Sequence, residues 1–487
     1  MGTYLGVDLG ATSGRVSLGI VSPDGIDLHE VRRFRNTPVR VEGDWFWDVE
    51  ELYGQILDGL AEGSRTAGAA GTPPNGIAVD TWGVDFGVVG PDGELIVTPR
   101  HYRSAGLQAR HRVTSRITEL EVFERTGVQP MTMNTVYQAS ERLAEADVTA
   151  GSTLLLVPDL VTYWLTGARA AERTIASTTG LVNAQSGRWD VDVVAGAGFD
   201  PALLPPLRDA ATVAGTITPQ VRARIGATSP IPVLHVGSHD TASAVAAVPL
   251  EEFAAFVSCG TWALAGVEHD SPVLSTDALA AGFTNEAGVG GRTLVMRNLT
   301  GLWLLEQCLH GWGDPSLPDL IARAVHISRD LFIDVGAADL VSSTDVPADI
   351  LQACRRSGQA DPADAAEYVR CILLSLALAY RRTIRRAAEL TGRTVSVVHL
   401  VGGGSRNALL CQLTADACDL PVVAGPAEAS SLGNVGVQAM ATGELGSLDE
   451  LRSHIAAGVT LRRFLPSESD SARWDRGEDL LTSTARL

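Results

Sequence analysis

The sequence predicts an α/β protein, and three observations carry that prediction. Segments that alternate apolar and small or polar residues are interleaved with segments of helical period. A glycine-containing hairpin pattern opens the chain and recurs past its midpoint, which suggests a duplicated architecture. Two strand, glycine turn and helix passages follow, the arrangement in which α/β folds place ligand sites.

The opening, TYLGVDLGATSGRVSLGI, sets Leu5, Val7 and Leu9 against Gly6, Asp8 and Gly10, then returns through Val16, Leu18 and Ile20 as a hairpin, with a second turn at SPDG. DVEELYGQILDGLAEGSR has helical period and is followed by a Gly/Pro break and the strand GIAVDTWGVDFGVVG. PIPVLHVGSHDTASAVAAVPLEEF reads as strand, glycine turn, small-residue helix and proline stop, and AAFVSCGTWALAGVEH starts a new alternating segment, so a boundary is expected near residues 247–254. Val7 to Thr12 (VDLGAT) and Val257 to Trp262 (VSCGTW) share the form V-x-x-G. DAAEYVRCILLSLALAYRRTIRRAAELTG predicts one long helix closed at Gly392, its arginines toward the C-terminus complementing the dipole. VSVVHLV, GGGSRN and LLCQLTADAC then give strand, tight turn and helix, and the polar end SESDSARWDRGEDLLTSTARL reads as peripheral.

Composition narrows the function. With 487 residues, 45% hydrophobic and 20% charged, the chain is neither disordered nor fibrous. Its net charge of −19 argues against a broad nucleic-acid or anionic-membrane footprint, so any phosphate is bound locally. Every basic side chain is arginine. Without lysine a P-loop, the protein-kinase lysine and a Schiff base are excluded. Six cysteines show no CxxC or zinc spacing and read as buried thiols, with Cys354 and Cys371 the pair nearest to a bridge. The N-terminus has no basic leader and no apolar run reaches about 18 residues, so the expectation is a cytoplasmic protein.

Five segments carry candidate chemistry. GATSGR, residues 10–15, offers backbone N–H groups with Thr12, Ser13 and Arg15 to a phosphate chain, although an ordinary hairpin turn has the same composition. Asp8 beside it adds a carboxylate suited to a hydrated Mg²⁺. In GSHDTASAVAAV, Asp240 lies in the first turn of a helix, where it can accept a proton from an attacking hydroxyl or simply cap the helix. GTW at 260–262 and GGG at 402–404 are a second hairpin turn and a close-approach loop. In DTWGVDFG, Trp82 and Gly83 read equally as a sugar-stacking edge or as a core tryptophan beside a bulge.

Taken in order, VDLGATSGRV, PDLVTYWLTG, HDTASAV, FVSCGTWAL, LVGGGSRN and ASSLGNVGVQAMATGE resemble the FGGY carbohydrate kinases of the actin-like ATPase superfamily, from residue 5 to about 444. The resemblance implies two actin-like (ribonuclease H-like) lobes with a central cleft: a sugar-binding lobe 1–247, a nucleotide-binding lobe 254–444 and an extension 445–487. It implies a ketose substrate, ATP and Mg²⁺, with no nucleic acid or membrane partner, in a monomer or homodimer. By this resemblance Ala11, Thr12, Ser13, Gly14 and Arg15 contact the ATP phosphates, and Thr261 and Gly403 contact the nucleotide. Asp8 helps place the metal; Gly83, His239, Asp240, Thr241 and Asn298 contact the sugar; Asp240 is the general base. One departure stands out, because Glu306 occupies a place where these kinases carry glutamine near the nucleotide.

Within the family VDLGATSGR, DTWGVDFG, GSHDTASAVAAVP, SCGTWAL and RNLTGLWLLE point to one ketose kinase, with kinases of L-fuculose, L-ribulose or D-xylulose as rivals. An actin-like ATPase without a sugar pocket is the reading from another class, and DTWGVDFG and HDT speak against it. A non-phosphorylating sugar sensor is a third, disfavoured by an intact Asp8 and Asp240.

Overall fold

The computed structural model describes residues 1–104, 106–250, 253–337, 340, 343, 345–467 and 471–484. By contact the chain divides into two units, the first made of Met1–Pro249, Glu268–Val295 and Ala429–Val459, the second of Leu250–Val267, Met296–Glu428 and Thr460–Leu487.

The first unit is organised on β1 (Gly2–Leu9), in which every residue is buried. It pairs antiparallel with β2 (Ser13–Ser22), which pairs antiparallel with β3 (Gly25–Arg35), so the predicted hairpin and second turn are both present. On its other edge β1 pairs parallel with β4 (Gly76–Thr81), in a register that sets Asp8 beside Asp80. With β5 (Thr212–Thr216) and β6 (Pro232–His235) the sheet order is β5-β6-β4-β1-β2-β3. The helix Val49–Ala69 is started by Asp48, whose carboxylate accepts from the Glu51 N–H, and buries Leu52, Ile56 and Leu60. Burial of such side chains stabilises by about 1.5–3 kcal/mol each. The strand expected through DTWGVDFG breaks after Thr81 and resumes at Phe86–Val89, with Val84 at φ 68. The helix Ala429–Ala441 comes from late in the chain and packs on this sheet, since its Gln438 side chain donates to the Leu5 carbonyl at 3.1 Å.

The second unit repeats the plan. Its β7 (Ala254–Cys259) pairs antiparallel with β8 (Trp262–His269) and parallel with β10 (Val397–Val401), β9 (Thr293–Thr300) lying beyond β8. With β11 (Val422–Ala424) and β12 (Arg462–Phe464) these strands run β9-β8-β7-β10-β11-β12, and the strand Thr284–Ala287 adds a seventh beyond β9. Each sheet thus has an antiparallel hairpin, two parallel strands beside it and one antiparallel strand at that edge.

The long helix runs Ala365–Thr391, started by Asp364 and ended by Gly392 in the left-handed conformation. Its last turn carries no basic residue, so the expected dipole complement is absent. Arg381 is instead buried and pairs with Asp475 and Glu478 of the helix Ser471–Thr484. That terminal helix is not peripheral: Trp474 is 2% exposed and meets Phe332 edge-on. All six cysteines are free thiols.

Candidate functional site

In the first unit the carboxylates lie at the C-terminal ends of β1, β4 and β6. Asp8 is buried, and three contacts converge on its Oδ2: the Ser430 hydroxyl at 2.5 Å, the Ser431 hydroxyl at 3.0 Å and the Arg15 Nε at 3.3 Å. Asp80 is fully buried and accepts from the Asn434 amide at 2.6 Å, while its Oδ1 has no hydrogen-bond partner. Burial, then the neighbouring Asp8, raises the Asp80 carboxyl well above the ordinary range.

The loop after β6 leads into the helix Asp240–Ala246, with His239 at its N-cap and no side-chain capping bond. Asp240 therefore does not take the capping role that sequence reading left open. Its side chain is 33% exposed, with Oδ1 3.5 Å from His239 Nε2 and 3.2 Å from the Thr241 hydroxyl. Loss of water around Asp240 raises its pKa, His239 opposes the shift and Asp8 adds to it. The other ring nitrogen of His239 is 3.0 Å from Glu286. The loop is held from below by Glu172, which accepts from the Ser238 N–H at 3.1 Å and the Thr174 N–H at 2.9 Å. Burial pushes Glu172 up to about 7.

The first turn has Gly10 N–H bonded to the Ser13 carbonyl at 2.8 Å. Thr12 is exposed, Ala11, Ser13 and Arg15 are partly so, and Gly14 is buried under Phe34. Gly83 is partly exposed, and a Cβ there would meet Thr178 at 3.0 Å. Trp82 takes the core reading: it is 7% exposed, tilts against Trp47 at 4.1 Å and donates to Asp85 at 3.0 Å.

Thr261, Asn298, Gly403 and Glu306 belong to the second unit. Thr261 sits in the turn between β7 and β8, where Gly260 N–H bonds the Trp262 carbonyl at 2.8 Å and the Leu302 N–H bonds the Gly260 carbonyl at 2.9 Å. Asn298 is a partly buried residue of β9, and Glu306 is exposed on the helix Trp303–Gly311. Within GGG, Gly402 and Gly404 seat against Cys259, whereas a Cβ on exposed Gly403 would meet nothing within 4 Å.

The structure thus brings Asp8, Arg15, His239, Asp240 and Thr241 together in one unit. Sequence reading missed Asp80, Glu172, Glu286, Ser430, Ser431 and Asn434. The small polar residues of ASSLGN were the one available signal for the last three. A cavity of about 540 Å³ in the first unit is lined by Glu172, Glu286, Arg173 and Asn183, and so adjoins the His239 loop through Glu172 and Glu286.

Residues 3–247 match the FGGY family of carbohydrate kinases, N-terminal domain, and residues 255–442 its C-terminal domain. A rhamnulokinase of Bacteroides thetaiotaomicron is 40% identical over 478 residues, covering 97% of each chain. A rhamnulokinase of Klebsiella pneumoniae is 39% identical over 478 residues, covering 96% of each. Among solved structures, ligand-bound xylulose kinase from Lactobacillus acidophilus superposes with a TM-score of 0.78 at 14% identity, over 100% of this chain and 97% of that one. Plasmodium falciparum glycerol kinase with ADP gives 0.79 at 13% identity, over 100% and 98%. These two likenesses show the fold.

Proposed function

Because this chain belongs to the FGGY family of carbohydrate kinases, we propose that it transfers the γ-phosphoryl group of Mg²⁺-ATP to the 1-hydroxyl of L-rhamnulose, with Asp240 as general base. One observation carries the chemistry. Asp240 is a partly exposed carboxylate at a helix start, set against His239 and coupled to buried Asp8 and Asp80. Phosphoryl transfer asks a protein mainly for positioning and charge neutralisation, plus a carboxylate that takes the hydroxyl proton. The raised pKa of Asp240 makes it a stronger base than a free aspartate. The ketose specificity rests on likeness along nearly the whole chain to proteins named rhamnulokinase.

The donor set fits Mg²⁺. This hard cation keeps most of its waters and takes one or two carboxylates together with phosphate oxygens. Asp8 places its three protein contacts on Oδ2, which leaves Oδ1 for the ion or its water. When bound, the ion supplies neutralisation of phosphate charge. Ala11 to Arg15 are the proposed phosphate turn, Thr261 and Gly403 the proposed nucleotide contacts, and Gly83, His239, Thr241 and Asn298 the proposed sugar contacts.

The test is sugar-dependent ADP release with L-rhamnulose, L-fuculose, L-ribulose, D-xylulose and glycerol, with Asp240→Asn as the blank. The expected result is the highest kcat/KM for L-rhamnulose and a kcat at least ~10²-fold lower in the variant, with sugar binding nearly intact. Preference for another ketose would overturn the substrate, and near wild-type turnover in the variant would overturn the base.

A further inference from the structure

Glu286 is a buried carboxylate that the reading above does not use. It lies on the strand Thr284–Ala287, fixed on either side: the Asn285 N–H donates to the Gly127 carbonyl at 2.8 Å and the Ala287 N–H to the Ser177 hydroxyl at 2.8 Å. Its side chain is 6% exposed, and its Oε2 lies 3.0 Å from His239 Nδ1 as an ion-pair contact, neither atom having a partner in hydrogen-bond geometry. The imidazole is equally enclosed, with its other nitrogen facing Asp240 at 3.5 Å. His239 is held in place through its backbone too, since its N–H donates to the Thr174 hydroxyl at 3.2 Å.

We propose that Glu286 is a positioning residue for phosphoryl transfer: acting through His239, it keeps a proton on Nδ1 and the Nε2 edge turned toward Asp240. The inference rests on Asp240 being the general base. A buried carboxylate 3.0 Å from an imidazole stabilises the protonated nitrogen beside it. The far nitrogen then presents a fixed edge, as in other carboxylate–histidine pairs.

The charges facing these groups agree with that arrangement. Around His239, burial opposes protonation, but Glu286, Asp240 and Glu172 outweigh it and raise the ring above the ordinary histidine range. Asp240 is faced by His239 and Asp8, and it is felt by Asp80, which is itself faced by Asp8 and Arg15. A positive ring at His239 therefore limits the rise of the Asp240 pKa. Neutralising Glu286 removes the largest support for that positive charge.

The experiment compares wild type, Glu286→Gln, Glu286→Asp, His239→Gln and the Glu286→Gln/His239→Gln double variant, reading kcat and KM against pH and the His239 titration by NMR. Glu286→Gln should lower kcat by about 10- to 100-fold with little change in the KM for ATP. The acid limb of the kcat profile should move to higher pH and the His239 midpoint to lower pH. Glu286→Asp should fall between, and the double variant should lose no more than His239→Gln alone.

Lower melting temperature with both limbs unmoved would mark Glu286 as structural and overturn the proposal. Independent, multiplicative losses in the double variant would do the same, as would a wild-type His239 midpoint below the ordinary histidine value, a result that needs no variant to fold. Failure of the base assignment is read separately, from turnover of Asp240→Asn.

Discussion

The two hairpin turns share a backbone and differ in what they carry. In each, a glycine N–H closes on a carbonyl at 2.8 Å, and the strand before it has an antiparallel partner on one side and a parallel partner on the other. At the second position of the pattern the first unit has Asp8, registered with Arg15 and Asp80; the second has Ser258, registered with Leu264 and Val401. The contrast extends to the buried titratable groups. In the first unit they include Asp80, Asp85, Asp159 and Glu172, all raised by burial. In the second they include the thiols Cys259 and Cys411, pushed up to about 11 and 12 by burial. One scaffold serves as a charged site in the first copy and as a neutral turn in the second.

The largest effect expected from this difference is kinetic. Asp8→Asn keeps the shape of the strand end but removes the carboxylate that two hydroxyls and Arg15 surround. It should lower kcat by about 10²-fold or more and raise the Mg²⁺ concentration needed for half-maximal rate. Ser258→Ala at the matching position should change kcat by less than about threefold, because the residue is worth no more than one weak, partly solvated hydrogen bond. Equal losses in steady-state assays would show that the two turns share the charge work.

What the sequence disclosed follows the same division. Asp8, Asp240 and both turns were legible because each depends on neighbours in the chain: period-two alternation, a glycine, a helix start. Ser430 and Ser431 were not, since they reach Asp8 across 422 and 423 residues and no local pattern encodes that approach. Glu286 was hidden for the same reason, on a short strand with nothing to mark the carboxylate as facing His239. Trp82 shows the limit of composition: sugar edge and core packing call for the same residue, and the choice is made by Asp85, Trp47 and the break at Val84. The paired sheet orders were foreshadowed by V-x-x-G alone. That the helix Ala429–Ala441 belongs by contact to the first unit is a tertiary fact with no sequence mark.

A second test uses pH. Asp85 accepts from Trp47, Trp82, Gln138 and the Tyr102 N–H, and burial pushes it from 3.8 to about 7. An acid with a raised folded pKa binds its proton more tightly in the native state. Its ionisation therefore costs no stability below about pH 4 and a growing amount as pH rises from 3.8 to about 7. His101 and His235, lowered to about 4 by burial, act with the opposite sign over nearly the same range, so total stability hides the effect. Asp85→Asn isolates it: the variant is destabilised by mismatched donors, and its deficit should shrink between pH 4 and 7 in denaturant titrations. Cys411→Ala in the second unit should show a constant offset over that range. A constant offset for Asp85→Asn as well would remove the contrast between the buried groups of the two units.

The smallest effects concern the glycines, where fit and function come apart. A Cβ on Gly14 would lie 2.3 Å from Phe34, and one on Gly404 would lie 2.4 Å from the Cys259 sulfur, so both glycines exist to let side chains pack over them. Gly14→Ala and Gly404→Ala should each lose roughly 1–3 kcal/mol of stability through overpacking, visible as a lower melting temperature. Gly403 has nothing within 4 Å of such a Cβ, and its backbone is not left-handed, so alanine costs the fold little. Its proposed role is to leave room for a nucleotide, and Gly403→Ala should therefore keep the melting temperature and raise the KM for ATP alone. A lowered melting temperature with unchanged KM would put Gly403 with its two neighbours as a packing residue and leave Thr261 as the one proposed nucleotide contact in the second unit.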